Sequence, residues 1–349
     1  MKNIIGAKPS PAAAEVRFLT VDGESAGQRL DNFLFKQLKG VPKTHVYRII
    51  RSGEVRINKG RAQAETRLTP GDVLRLPPVR TSAPAQAGGQ PLAPAREFPV
   101  LLEDEAVLAI DKPAGVAVHG GSGVSSGVIE QLRAARPAAR FLELVHRLDR
   151  ETSGILLVAK KRSALTALQE QFRERETGKT YLALVEGRWP ANRKVLDAPL
   201  AKYLLPGPNG APEAGERRVK VVAKDHPDAM RAVTLVKVIA GLTLGSEAGE
   251  CSLLAVTIKT GRTHQIRVHL ASAGHPIAGD DKYGDFERNR ALQKLGLKRM
   301  FLHAWRLQFT HPATSARLSL QAALPPELKA LTPQEVQDAL ATYLSTDSA

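Results

Sequence analysis

The chain has one cysteine in 349 residues, Cys251, so it forms no internal disulfide and builds no cysteine-based zinc site. No apolar run approaches the roughly 20 residues that a membrane helix needs. The start, MKNIIGAKPS, lacks an apolar signal region, and secretion is not expected. Acidic residues are scarce beside basic ones: 35 Asp+Glu stand against 50 Lys+Arg, a formal net charge of +15. Hydrophobic residues at 43% and charged residues at 24% are ordinary for a folded chain. The length suits two domains. These exclusions leave a basic intracellular protein, and the charge excess points to an anionic partner, nucleic acid first. A basic surface that serves only solubility has the same composition.

The chain divides by pattern. Residues 1–15 are Ala/Pro-rich and read as a mobile terminus. Residues 16–80 read as a small unit of two helices followed by short strands. Its first helix candidate, Gln28–Leu38, carries Leu30, Phe33, Leu34 and Leu38 on one face. Pro42 suits the first turn of a second helix that turns Val46, Ile49 and Ile50 inward and stops at Gly53. Residues 81–96, nearly all Ala, Pro, Gly and Gln in the stretch 81–95, have linker composition and predict a flexible tether. Residues 97–325 mix strands (among them Ile155–Ala159, Tyr181–Val185, Leu253–Ile258 and Phe301–Phe309) with helix candidates. The helix candidates are Ser126–Arg136, Ser163–Glu176 capped by Ser163 and stopped by Gly178, and Thr263–Ala273 capped by Thr263 and stopped by Gly274. Residues 204–217 read as an exposed loop. The tail 326–349 holds an amphipathic stretch, 333–344, suited to a helix. Strands outnumber helices without regular alternation. This predicts an α+β fold with a mostly antiparallel mixed sheet and flanking helices, preceded by the small α+β unit.

Lys43, Arg48, Arg51, Arg56, Lys59 and Arg61 crowd into the small unit, and residues 15–80 hold 13 Lys+Arg against 7 Asp+Glu. Such a patch can meet backbone phosphates, although a solvated helix face has the same charge pattern. Several chemistries are excluded. Gly178-Lys179-Thr180 ends like a phosphate-binding loop, but the required earlier glycine is Arg173. His264 and His269 miss the same-face spacing of a helical metal pair, and no serine lies in a G-x-S-x-G elbow. His119-Gly120-Gly121 and the following Ser and Gly residues read as a flexible turn. No metal or cofactor is expected.

The most informative segment is His146–Gly154, HRLDRETSG, between two strands. Asp149 is flanked by Arg147 and Arg150, which are expected to hold it ionised and ready as a nucleophile or base. A turn Asp with solvated neighbours is the alternative.

Two resemblances cover most of the chain. "QRLDNFLFKQL…VPKTHVYRIIRSGEVRINKGRAQAETRLTPGDVLRL" resembles the S4 RNA-binding domain, which implies that the two-helix face docks on structured RNA. "DKPAGVAVHGGSG", "HRLDRETSGILLVAK", "KTYLALVEG", "GRTHQIRVHLASAGHPIAGDDKYG" and "LHAWRLQF" are similar to the successive motifs of RluA-type RNA pseudouridine synthases. One family segment, Ala-x-Thr followed by an aromatic, reads Ala232-Val233-Thr234-Leu235-Val236 here, outside the catalytic motifs.

The resemblance implies that Asp149 is the catalytic carboxylate and that Arg267 pairs with it, from a helix side facing away from Ile266 and Leu270. It implies that Tyr181 sits against the target base, that Arg147 fills the space of the flipped nucleotide, and that Leu302 walls the uracil pocket. The implied reaction breaks the N1–C1′ bond, turns the uracil and joins C5 to C1′, after the base leaves its stack. Asp149 can add to the base, or assist loss of uracil and deprotonate the sugar; both routes stay open. The implied partner is large-subunit (23S) ribosomal RNA or an assembly intermediate, met in the cytoplasm by a monomer. A non-enzymatic ribosome-assembly factor and a synthase acting on transfer RNA are the alternatives.

Overall fold

The computed structural model describes residues 15–38, 40–79, 93–121, 126–205 and 216–347. The N-terminal stretch 1–14, residue 80, positions 81–92 of the expected tether, residues 122–125 of the His119 turn and the tip 206–215 of the expected loop lie outside the described residues. The chain forms two compact units, divided between Pro91 and Leu92.

The first unit packs helices Leu30–Gln37 and Lys43–Arg51 on a four-stranded sheet. The sheet runs Arg17–Thr20, Val73–Leu76, Arg56–Ile57, Gly60–Arg61, antiparallel throughout. Leu30, Leu34, Val46, Ile49, Leu74 and Leu76 close one core between helices and sheet. Pro42 lies one position earlier than expected, as the N-cap. Its fixed φ of −56° suits the entry, and its missing N–H costs nothing there. Gly53 ends the turn after the second helix at φ +75°.

The second unit is built on a large mixed sheet. Its strand order is Val195–Asp197, Val233–Leu244, Gly249–Ile258, Gly178–Glu186, Leu302–Thr310, Ser153–Ala159, Val107–Lys112, Val100–Glu103. Only Ser153–Ala159 beside Leu302–Thr310 is parallel; the remaining pairs are antiparallel. This is the expected α+β class with a mostly antiparallel sheet. Ser153–Ala159 is buried along its whole length, which explains its continuous apolar run.

Some expected local signals give way to others. The helix after Ser153–Ala159 runs Arg162–Glu174 with Lys161 as N-cap, so Ser163 lies inside its first turn. It ends on Arg175 in the left-handed region at φ +65°, and Gly178 opens the next strand. Part of the expected loop 204–217 is strand: Leu200–Leu205 pairs with Glu216–Val221 in a separate hairpin, Leu204 opposite Arg217. After Pro325, Leu328, Leu331 and Val336 pack into a core with Leu184 and Phe301, and a helix runs Gln334–Asp347.

Candidate active site

The loop His146–Thr152 alternates. His146 and Leu148 turn inward, whereas Arg147 and Asp149 face a cleft. Leu148 is buried among Ile110, Val128 and Leu156. The His146 ring accepts the Leu157 N–H at 3.1 Å and stacks on Phe172 with centroids 4.8 Å apart. Burial, aided by the charge of Lys179, pushes its pKa down to about 3. It is a neutral anchor. Lys112, fully buried, holds the other side of the loop by donating to the carbonyls of Pro113 (2.8 Å), Val116 (2.9 Å) and Arg150 (3.1 Å). Burial, with nearby Arg299, pushes the Lys112 pKa down to about 7. Arg299 ties the loop to the next strand through the Ser153 hydroxyl (2.8 Å) and the Leu302 carbonyl (3.2 Å).

Gly154 follows the loop at φ +108°, opposite Ala304 in the parallel pair. A Cβ here would lie 2.2 Å from the Ala304 carbonyl oxygen. Glycine is required for the loop strand and its neighbour to approach this closely. Across the same line, Tyr181 lies opposite Ala304 on one side and Val256 on the other. Its half-buried ring therefore stands over the centre of the sheet. Burial, and then the charge of Asp149, push the Tyr181 hydroxyl above its ordinary pKa.

The expected residues meet in one cleft of about 110 Å³, lined by Arg147, Asp149, Tyr181, His264, Arg267 and Leu302 among others. The Asp149 side chain is 22% exposed, with Arg267 Nη1 at 3.7 Å and His264 Nε2 at 3.8 Å. Its sequence neighbours do not pair with it. Arg150 turns to Glu151 at 2.7 Å, and the exposed Arg147 guanidinium makes no hydrogen bond or ion pair among the described residues. The cation beside Asp149 thus comes from a distant helix, because residues adjacent in an extended loop point apart.

That helix runs Gln265–Ser272, two residues shorter at its start than expected. Thr263 is not its cap. His264 takes the N-cap position at φ +52°, and the Gln265 side chain closes the entry by accepting from Thr260 Oγ1 (2.7 Å) and the Arg262 N–H (3.1 Å). Arg267 does not leave the core as expected; it reaches the cleft while only 3% exposed. Burial is tolerated because Asp280, unforeseen from the sequence, accepts from Nε at 2.7 Å and Nη2 at 2.6 Å. Asp280 also accepts the N–H groups of Lys282 (2.9 Å) and Tyr283 (3.1 Å). Burial works to raise its pKa, but Arg267 and these N–H groups hold it below the ordinary carboxylate value.

His264 was also missed. Its Nδ1 lies 2.8 Å from the Tyr283 hydroxyl, which accepts the Val219 N–H at 3.1 Å. Burial lowers the imidazole pKa despite nearby Asp149. The neutral ring can accept a hydrogen bond from the Tyr283 hydroxyl at Nδ1 and turn its Nε2–H toward Asp149. The motif "GRTHQIR" held the signal for both His264 and Gln265. A supported carboxylate, a capped cation and an aromatic wall form a site for acid–base or nucleophilic work on a flat ring.

Lys43, Arg48 and Arg51 lie on the second helix of the small unit, whereas Arg56 and Arg61 lie on its sheet and Lys59 in the intervening turn.

A family model described as RNA pseudouridylate synthase matches residues 106–272, and an S4 domain model matches residues 28–74. The chain is 50% identical over 318 residues to ribosomal large subunit pseudouridine synthase C of Pasteurella multocida, covering 90% of this chain and 92% of that protein. It is 48% identical over 319 residues to the Escherichia coli protein of the same name, covering 90% and 95%. The solved structure of human RNA pseudouridylate synthase domain containing 4 matches with a TM-score of 0.52 at 29% identity, over 66% of this chain and 90% of that one. Human RNA pseudouridylate synthase domain containing 1 matches with a TM-score of 0.53 at 25% identity, over 70% and 95%. Half-identity along almost the whole of both chains, together with this sheet and cleft, is decisive: the chain belongs to the RNA pseudouridylate synthase family.

Proposed function

We propose that the protein isomerises specific uridines of large-subunit (23S) ribosomal RNA, free or in an assembly intermediate, acting as a cytoplasmic monomer without a cofactor. The observation that supports this most is the convergence of Asp149, Tyr181, Arg267, Arg147 and Leu302, from four separate segments, on one cleft. The relatives named for the ribosomal large subunit point to the substrate.

In this reading the target uridine leaves its stack and enters the cleft, and the unpaired Arg147 side chain fills the vacated space. Leu302 and the Tyr181 ring hold the uracil between an apolar wall and an aromatic face. Asp149, oriented by Arg267, drives cleavage of the N1–C1′ bond, by adding to the base or by assisting loss of uracil. Because its pKa is raised, Tyr181 keeps its proton and acts as packing surface and O–H donor, not as phenolate. The base turns and C5 joins C1′; the proton on C5 then passes to the freed Asp149 carboxylate while N1 takes up one proton, so the atoms of the nucleoside balance without any co-reactant. The S4 unit supplies phosphate contacts through Lys43, Arg48, Arg51, Arg56, Lys59 and Arg61.

Mapping pseudouridine across total RNA from cells lacking the protein tests this. The expected result is loss at a small set of uridines in large-subunit ribosomal RNA, with transfer RNA unchanged. Loss confined to transfer RNA, or no loss at all, contradicts it.

A further inference from the structure

We propose that the outer face of the small unit's four-stranded sheet is a groove for single-stranded RNA, with a base stacked on Phe18 and phosphates on Arg75, Arg56 and Lys59. It rests on reading the protein as an RNA enzyme and adds a second RNA-binding face to the helical one.

The strand register carries the argument. Phe18 lies opposite Arg75, Arg75 opposite Arg56, and Arg56 opposite Arg61. One aromatic and three guanidinium groups therefore form a single row across all four strands. Leu74 and Leu76, which alternate with Arg75, are fully buried against the helices, so the row lies on the face turned away from them.

Like charges directly opposite each other destabilise a sheet. Arg29 of the same unit is neutralised by Asp31 at 2.6 Å. No carboxylate pairs with Arg56, Arg61 or Arg75 among the described residues. Carbonyl oxygens orient two of them instead: Arg75 donates to Glu54 at 3.0 Å and Arg56 to Lys59 at 3.3 Å. The row is thus aimed but not neutralised, and an external anion completes it.

Two further features favour a nucleic acid. Phe18 is 66% exposed and Val73 beside it 40% exposed, in a cationic field. A π-face among arginines suits a stacked base with its phosphates, whereas a protein partner needs a broader apolar patch. Lys59 occupies the second position of the tight turn Asn58–Lys59, at φ +70°, where glycine is the relaxed choice. From this turn Lys59 lines the groove. The groove is an open concavity of about 1050 Å³ lined by Phe18, Glu54, Arg56, Lys59, Val73 and Arg75, and the Glu54 carboxylate turns to the Ser52 hydroxyl at 2.7 Å.

The test uses the full-length protein and a labelled oligouridylate of about 12 nucleotides, a length within single-strand site sizes. Affinity is measured over a range of salt concentrations. Phe18→Ala should weaken binding about 5- to 100-fold, and Phe18→Trp should restore it. Arg75→Gln should flatten the plot of log affinity against log salt by about 0.7. Phe18 is exposed, and unchanged thermal unfolding checks that the variant folds. Unaltered affinity and slope in Phe18→Ala and Arg75→Gln overturn the proposal, including the case in which this face binds a protein. Pseudouridine formation by the wild-type protein is scored separately. If it fails while the Phe18 and Arg75 effects appear, the groove stands and the enzymatic reading falls. If it succeeds without those effects, the groove alone falls.

Discussion

Arg267 grips Asp280 through two hydrogen bonds, 2.7 Å from Nε and 2.6 Å from Nη2, and this grip leaves Nη1 facing Asp149 at 3.7 Å. Asp280 is therefore a positioning residue for a cation that would otherwise be too costly to bury. Asp280→Ala should destabilise the fold by about 3–5 kcal/mol, the usual cost of orphaning a buried charge. Asp280→Asn keeps one acceptor and the shape. It should fold yet lower kcat roughly 10²-fold, with little change in KM, as Arg267 swings from its place. Urea unfolding and single-turnover kinetics on ribosomal RNA check both; wild-type kcat in Asp280→Asn contradicts the role.

His146 predicts an acid-sensitive fold. Its folded pKa, about 3, lies below the ordinary 6.5, so the unfolded chain takes up the proton first as the pH falls. Its contribution is complete above pH 6.5 and is lost as the pH drops toward 3. Between pH 7 and 5 the loss should be about 2 kcal/mol. His146→Gln can still accept from Leu157 N–H but does not titrate. Its urea midpoint should change less over this interval than that of the wild type; an equal change refutes the assignment.

Gly154 should tolerate no side chain. Gly154→Ala places a Cβ against the Ala304 carbonyl at a φ of +108°, and neither backbone can yield without opening the sheet. A loss of about 2–4 kcal/mol is expected by thermal or urea unfolding. Activity should fall further than stability explains, because Asp149 hangs from the same strand start. Wild-type stability would show that the approach relaxes.

Tyr181 separates packing from proton chemistry. Tyr181→Phe keeps the ring but loses the O–H donor, and should bind RNA with nearly unchanged KM while kcat falls roughly 10²-fold. Tyr181→Leu removes the aromatic face and should raise KM as well. Equal effects of the two on KM contradict a stacking role.

The readable parts of the molecule were those with a period or a local motif. The buried run Ser153–Ala159 and the HRLD loop are written in neighbouring residues. The convergence of Asp149 with Arg267 is not, since it depends on a sheet joining segments far apart in the chain. Asp280 is not legible in "GDDKYG", because nothing in adjacent residues says that it faces Arg267. Lys112 was invisible for a related reason: a lysine is normally outside, and only three converging carbonyls explain one that is not. Thr263 and Ser163 misled because a capping side chain is a common helix start, while these helices use His264 and Lys161 without one.

The central claim is that Asp149 performs the chemistry. It is tested most directly by incubating purified Asp149→Asn protein with large-subunit ribosomal RNA lacking the modification and counting pseudouridine formed per RNA. The substitution preserves shape, so RNA binding should stay within a few-fold of wild type. The account predicts no detectable pseudouridine even with enzyme in excess. Pseudouridine formation at a rate near that of the wild-type protein would contradict it.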